Sequence, residues 1–145
     1  MNKKGVTLLE LIIVMVIIGI GATLLAPGIS AWIPTYRLRG ATRDVVSTLR
    51  KAQMKAVSLN ASHQVSFDPG AGTYILQRDS GGIWIDEQSP QLLPPGITFN
   101  TNFDYHKAVF RPNATGSGGS VFLTNTRGTQ RTITVLLSTG RVTIK

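Results

Sequence analysis

Apolar positions fall into three regimes along the chain. Residues 6–26 are an almost unbroken apolar run in which Glu10 is the one charged side chain. Residues 38–59 place Leu38, Ala41, Val45, Leu49, Ala52, Ala56 and Leu59 at three- and four-residue steps, the repeat of a single helix face. From His63 onward the pattern shortens to alternating runs, separated by Gly, Pro, Asn, Asp and Ser. These runs predict strands at 63–67, 73–78, 83–85, 97–100, 107–111, 121–125, 131–138 and 141–144. Asp68-Pro69-Gly70 and Thr139-Gly140 are turn signals.

The first two regimes predict one long helix over residues 6–59, on the order of 80 Å at about 1.5 Å per residue. Pro27 and Pro34 each remove a backbone donor, so kinks are expected, with Pro27 the principal one. The third regime predicts two small antiparallel sheets lying on the amphipathic half of that helix, an α+β body. Four segments follow: a leader (1–5), a hydrophobic helix (6–33), its amphipathic continuation (34–60) and a β-rich globular domain (61–145).

Residues 6–26 are long enough for a membrane helix, which needs roughly 20 apolar residues. Lys3 and Lys4 precede the run, so a single span would hold the amino terminus in the cytoplasm and export the rest. A cleaved secretory signal is a poor fit, because neither Gly19-Ile20-Gly21 nor the stretch before Pro27 makes a good small-x-small site. A plain anchor leaves Glu10 unexplained, since a carboxylate at that depth costs about 2.5–3.5 kcal/mol.

Composition narrows the chemistry. The 145 residues contain no cysteine and only two histidines, His63 and His106, neither with acidic neighbours at metal-ligand spacing. No Gly-x-Ser-x-Gly elbow marks a nucleophile, so no enzyme, cofactor or metal is expected. Gly116-Ser117-Gly118-Gly119 lacks the Gly-Lys-Ser/Thr ending of a phosphate loop and reads as a flexible connection. The net charge is +8. Arg37, Arg39, Arg43, Arg50, Lys51 and Lys55 crowd the helix against Asp44 alone, as a solvated face or a contact for anionic headgroups or acidic subunits. Arg127, Arg131, Arg141 and Lys145 make the carboxy terminus a candidate for binding DNA or a partner.

The segment Lys3-Lys4-Gly5-Val6-Thr7-Leu8-Leu9-Glu10, leading straight into an apolar helix, resembles the leader of type IV pilins and type II secretion pseudopilins. The resemblance implies that a membrane prepilin peptidase cuts between Gly5 and Val6 and methylates the new amine. It also implies that Glu10 meets the amine of an adjacent subunit. Val6 stands where the family usually has Phe, and Pro27 falls where pilins carry a helix-bending proline. The intramolecular pair, and a Glu10 hydrated near the headgroups, are the other readings.

Phe110-Arg111-Pro112-Asn113, the Gly-rich 115–120, and Gly140-Arg141-Val142 resemble, in this order, the H-type minor pseudopilin and FimT-type minor pilin family. That implies a minor pilin or pseudopilin. Its partners would be prepilin peptidase, other pilins and the inner membrane, with the globular domain periplasmic before entry into a filament. The DNA-capturing members carry a terminal Gly-Arg-x-Arg. Here Thr143 replaces the second Arg, and Lys145 follows two residues on. DNA uptake is therefore the alternative function.

Overall fold

The computed structural model describes residues 6–145, with side chains at 6–23 and 32–145. Gly5 and the leader lie outside the described residues, as does the Pro27 side chain.

One helix, α1 (Leu8–Ser58), is followed by nine strands. They are β1 (His63–Asp68), β2 (Thr73–Ser80), β3 (Ile83–Asp86), β4 (Gln91–Leu92), β5 (Ile97–Thr101), β6 (Lys107–Phe110), β7 (Gly119–Asn125), β8 (Gln130–Val135) and β9 (Val142–Ile144). A 3₁₀ turn, Asp104–His106, sits between β5 and β6. The chain divides into two compact units, Met1–Ile33 and Pro34–Lys145.

In the first unit, α1 opens on Thr7, whose hydroxyl accepts the Glu10 amide at 3.3 Å while its carbonyl accepts the Leu11 amide at 3.2 Å. Thr7 is thus the cap and Glu10 the third helical residue, the Thr-x-x-Glu spacing of a capping box. The large apolar side chains from Val6 to Ile20 are all exposed, between 48% and 78%. Among the described residues no helix is long and apolar enough to cross a membrane.

In the second unit the expected helix face is the core. Leu38, Ala41, Val45, Leu49, Ala52 and Ala56 are all 1% exposed or less. The three alanines leave no side-chain bulk between the helix backbone and what it packs on. Leu59 departs from the expected face: it lies beyond Ser58, where the helix has ended, and is 52% exposed. Val46 joins the core instead.

Two antiparallel sheets complete this unit. One runs β3-β2-β1-β6, with β4 also on β2; the other runs β5-β7-β8-β9. Alternation along the strands sets which residues face inward. Tyr74 and Leu76 of β2, Phe99 of β5, Val121 and Leu123 of β7 and Ile133 and Val135 of β8 are buried. Phe67 of β1 links the sheets, edge-on to Phe99 at 5.5 Å and stacked on Phe103 at 6.2 Å. The Asp68 carboxylate accepts the Gly70 and Ala71 amides at the first turn signal. Gly140 takes φ 59° at the second.

The eight expected strands are all present, with ends displaced by a few residues; β4 and the 3₁₀ turn were not legible. The 131–138 run stops at Val135 because Leu136 turns back, its amide donating to Arg141 and its carbonyl accepting from Gly140. Residues 116–119 are a packed connection rather than a flexible loop. Gly116 is buried and donates to Leu137, Ser117 donates to Val109, and Gly119 opens β7.

Candidate functional site

Three sets of residues are candidates, and each is placed by a different part of the fold. The first is the start of α1. Val6 precedes the cap and is 72% exposed, and the Glu10 side chain is exposed in the first turn. A carboxylate there is favoured by the positive end of the helix dipole. An amine created on Val6 would lie before the helix, at that same positive end, and so would repel the dipole that Glu10 offsets. This end of the described chain presents an exposed carboxylate beside a continuous apolar surface.

The second set is the basic carboxy terminus. Lys145 pairs with Thr132 through both backbone bonds, 3.1 and 2.8 Å, so it lies at the opposite end of β9 from Arg141, which pairs with Leu136. By alternation Arg141, Thr143 and Lys145 share the outer face, whereas Arg131 falls on the face of the buried Ile133 and Val135. Arg127 is in the β7–β8 turn, its amide donating to Asn125. The structure brings Arg141 and Lys145 to one face but separates them from Arg131.

The third set was not visible in sequence. Lys55, in the last turn of α1, donates to Glu87 at 2.6 Å, and the second Glu87 oxygen lies 3.5 Å from His63 Nε2. His63 is fully buried on β1, with Nδ1 2.8 Å from the Ala61 carbonyl. Partial burial pushes the Glu87 carboxyl up. The Lys55 hydrogen bond and charge, with His63 beside them, outweigh that and hold it below the ordinary carboxylate range. This cluster ties the helix end to β1 and the segment after β3, so it is a structural clasp. His106 instead meets Thr101 Oγ1 at 2.7 Å. Among the described residues no group of three or more His, Cys, Asp or Glu could hold a metal ion.

Three of the remaining helix cations, Arg43, Arg50 and Lys51, line a cavity of about 710 Å³ beside β9 together with Val46, Ser47, Met54 and Ile144. Arg37 is tied to the Pro95 carbonyl at 3.1 Å.

An apolar amino-terminal helix capped by Thr and bearing one acid, continued by a helix face packed on antiparallel sheets, defines a pilin-like subunit. Residues 1–26 match the prokaryotic N-terminal methylation motif, and residues 41–140 match the Type II transport protein GspH family. The chain belongs to that family of pseudopilins and minor pilins, whose members are structural subunits rather than enzymes. It is 28% identical to the pilin-like protein PilA1 of Thermus thermophilus, over all of this chain and 92% of that one. The minor pseudopilin EpsH of the Vibrio cholerae type 2 secretion system superposes with a TM-score of 0.66 at 9% identity, covering 75% of this chain and 96% of that one. The Pseudomonas aeruginosa type IV minor pilin FimU gives 0.64 at 12% identity, covering 77% and 90%. At these identities the structural likeness concerns the fold. The methylation motif and the family together point to a membrane-anchored filament subunit.

Proposed function

We propose that this chain is a minor pilin or pseudopilin that enters a type II secretion pseudopilus or a type IV pilus through its amino-terminal helix. The observation that carries the reading is the exposed apolar surface from Val6 to Ile20 beside a capped helix start bearing Glu10. Apolar surface on that scale calls for lipid or other helices around it.

In the membrane the apolar run of residues 6–26 retains the protein, with Lys3 and Lys4 holding the amino terminus cytoplasmic and the β-rich domain periplasmic. Prepilin peptidase then cuts between Gly5 and Val6, removing both lysines and leaving a methylated amine. Pro27 supplies a bend. On assembly the helix exchanges lipid for neighbouring helices. There Glu10 has one favourable option, a cationic chain end of an adjacent subunit, because an unpaired carboxylate among apolar helices is costly.

Glu10→Leu, expressed in cells in place of the wild-type copy, tests this pairing. Leader cleavage should continue, while recovery of the protein in sheared filaments should fall about tenfold or more, since breaking a buried pair costs several kcal/mol. Undiminished incorporation refutes the pairing. DNA capture for uptake, the alternative, draws on Arg127, Arg131, Arg141 and Lys145. It has less support, because strand alternation puts Arg131 on the opposite sheet face from Arg141 and Lys145.

A further inference from the structure

The half of α1 in the second unit carries a second periodic stripe besides its core face. Positions 36, 40, 43, 47, 50, 54 and 57 recur at alternating four- and three-residue steps. At about 100° per residue this band lies roughly opposite the buried Leu38–Ala56 face. Six of the seven positions are exposed, and Gly40 is half-buried. Alternating steps of three and four are the repeat by which one helix packs along another. The band runs about 32 Å, so it offers that repeat over several turns.

Gly40 is the residue that this chain's own packing does not explain. A glycine inside a helix is destabilising relative to alanine. A Cβ added at Gly40 would meet nothing within 4 Å, and the residue has no positive φ that would call for glycine. A helix packed on the band from outside would come closest at Gly40 and at Ser47, seven residues on, where the side chains are smallest.

The charges specify what such a helix carries. Arg43 and Arg50 of the band, with Lys51 beside it, line the cavity whose apolar floor is Val46, Met54 and Ile144. None of these three cations makes an ion pair or side-chain hydrogen bond among the described residues. Asp44, their acidic neighbour in sequence, lies toward Tyr74, whose phenol burial and then the Asp44 charge push up. Met54 is 66% exposed and Val57 49%, so the band asks for apolar partners as well as carboxylates. Phosphates alone would satisfy the cations but give Gly40, Met54 and Val57 nothing to do. A second copy is a poor occupant. α1 is the one α-helix among the described residues, its acids are Glu10 and Asp44, and its own band repeats the same cations.

We propose that the 36–57 band of α1 seats an acidic amphipathic helix from a different subunit. That helix meets Arg43, Arg50 and Lys51 with carboxylates, covers Met54 and Val57 with apolar side chains, and lies closest at Gly40. The source of the helix rests on the filament-subunit reading; its chemistry rests on the band.

Benzoylphenylalanine, a photo-crosslinking residue, placed at Ser47 or at Met54 of the full-length chain tests the contact in cells that assemble the filament. Both positions are exposed, so neither replacement enters the core. Adducts from subunits recovered in sheared filaments should map, by peptide mass spectrometry, to an acid-bearing amphipathic helix of another subunit. The same residue at Thr126, exposed after β7, should not give that adduct. Reversal of Arg43, Arg50 and Lys51 to Glu should cut the adduct about fivefold or more, since like charges then face each other. Gly40→Leu should cut it to a similar extent by holding the helices apart. In purified protein Gly40→Ala should raise Tm by about 3–5 °C, because the added methyl fills open space. A lowered Tm would assign Gly40 to this chain's own fold and overturn the proposal. Adducts to a second copy, to lipid or to nucleic acid overturn it, as does an adduct yield that neither charge reversal nor Gly40→Leu reduces. Subunits that enter filaments with no adduct from either position reject this contact and leave the Glu10 mechanism intact.

Discussion

Replacing Glu87 with Gln removes one charge from the clasp while keeping its shape. In the wild type, Lys55 Nζ lies 2.6 Å from one oxygen, with the Lys55 side chain 33% and the Glu87 side chain 14% exposed. A hydrogen bond to a charged group contributes about 1.5–3 kcal/mol. The partial exposure of Lys55 lowers that toward the range of surface pairs, so about 1.5 kcal/mol is expected. The variant amide still accepts from Lys55, but it no longer balances that charge or faces His63 with a carboxylate.

The pH dependence follows from the direction of the Glu87 shift. A carboxyl held below its ordinary value stabilises the fold above its unfolded-state pKa and loses that stabilisation as pH falls through the folded-state value. The wild type should therefore exceed Glu87→Gln by about 1.5 kcal/mol at neutral pH, or about 5 °C in Tm for a domain of this size. The gap should close below the ordinary carboxylate range. Thermal unfolding of full-length protein in non-ionic detergent, followed by circular dichroism at neutral and acid pH, measures both. A gap under about 0.3 kcal/mol at neutral pH, or one that persists unchanged in acid, would refute the assignment of Glu87 as a charged clasp.

Two further substitutions probe the packing. Leu49→Ala empties a fully buried site between α1 and the sheets and should cost about 3 kcal/mol in denaturant unfolding. Gly119→Ala meets both φ 132° and a Cβ only 2.5 Å from Phe103 Cδ1. Phe103 must then leave its stack on Phe67, and a loss of about 2 kcal/mol is expected, visible as a lowered Tm and altered aromatic circular dichroism.

Much of this architecture could be read from sequence because it rests on local periodicity. The three- and four-residue spacing from Leu38 to Ala56 marked the buried helix face, and alternation marked the strands. What escaped depends on contacts between distant residues. Lys55 and Glu87 are 32 positions apart, and His63 meets them only once β1 lies beside the helix end. The Gly116–Gly119 stretch has a flexible composition, yet it is pinned by Val109 and Leu137 from neighbouring segments. Counting arginines near the carboxy terminus could not reveal that β-strand alternation sends Arg131 and Arg141 to opposite faces. Nor could it reveal that the helix cations, not the terminal ones, line the cavity. At the amino terminus, the Thr7 cap was hidden inside the Thr-Leu-Leu-Glu pattern that carried the family resemblance.

The central claim is that proteolysis frees an amine on Val6, just ahead of the capped helix, and that this amine is then used in assembly. Intact-mass spectrometry of the subunit recovered from sheared filaments tests it most directly. The account predicts a mass equal to residues 6–145 plus one methyl group, with the modification located on Val6 by fragmentation. Assembled subunits that still carry residues 1–5 would contradict it, because the amine that Glu10 is held to meet would not exist.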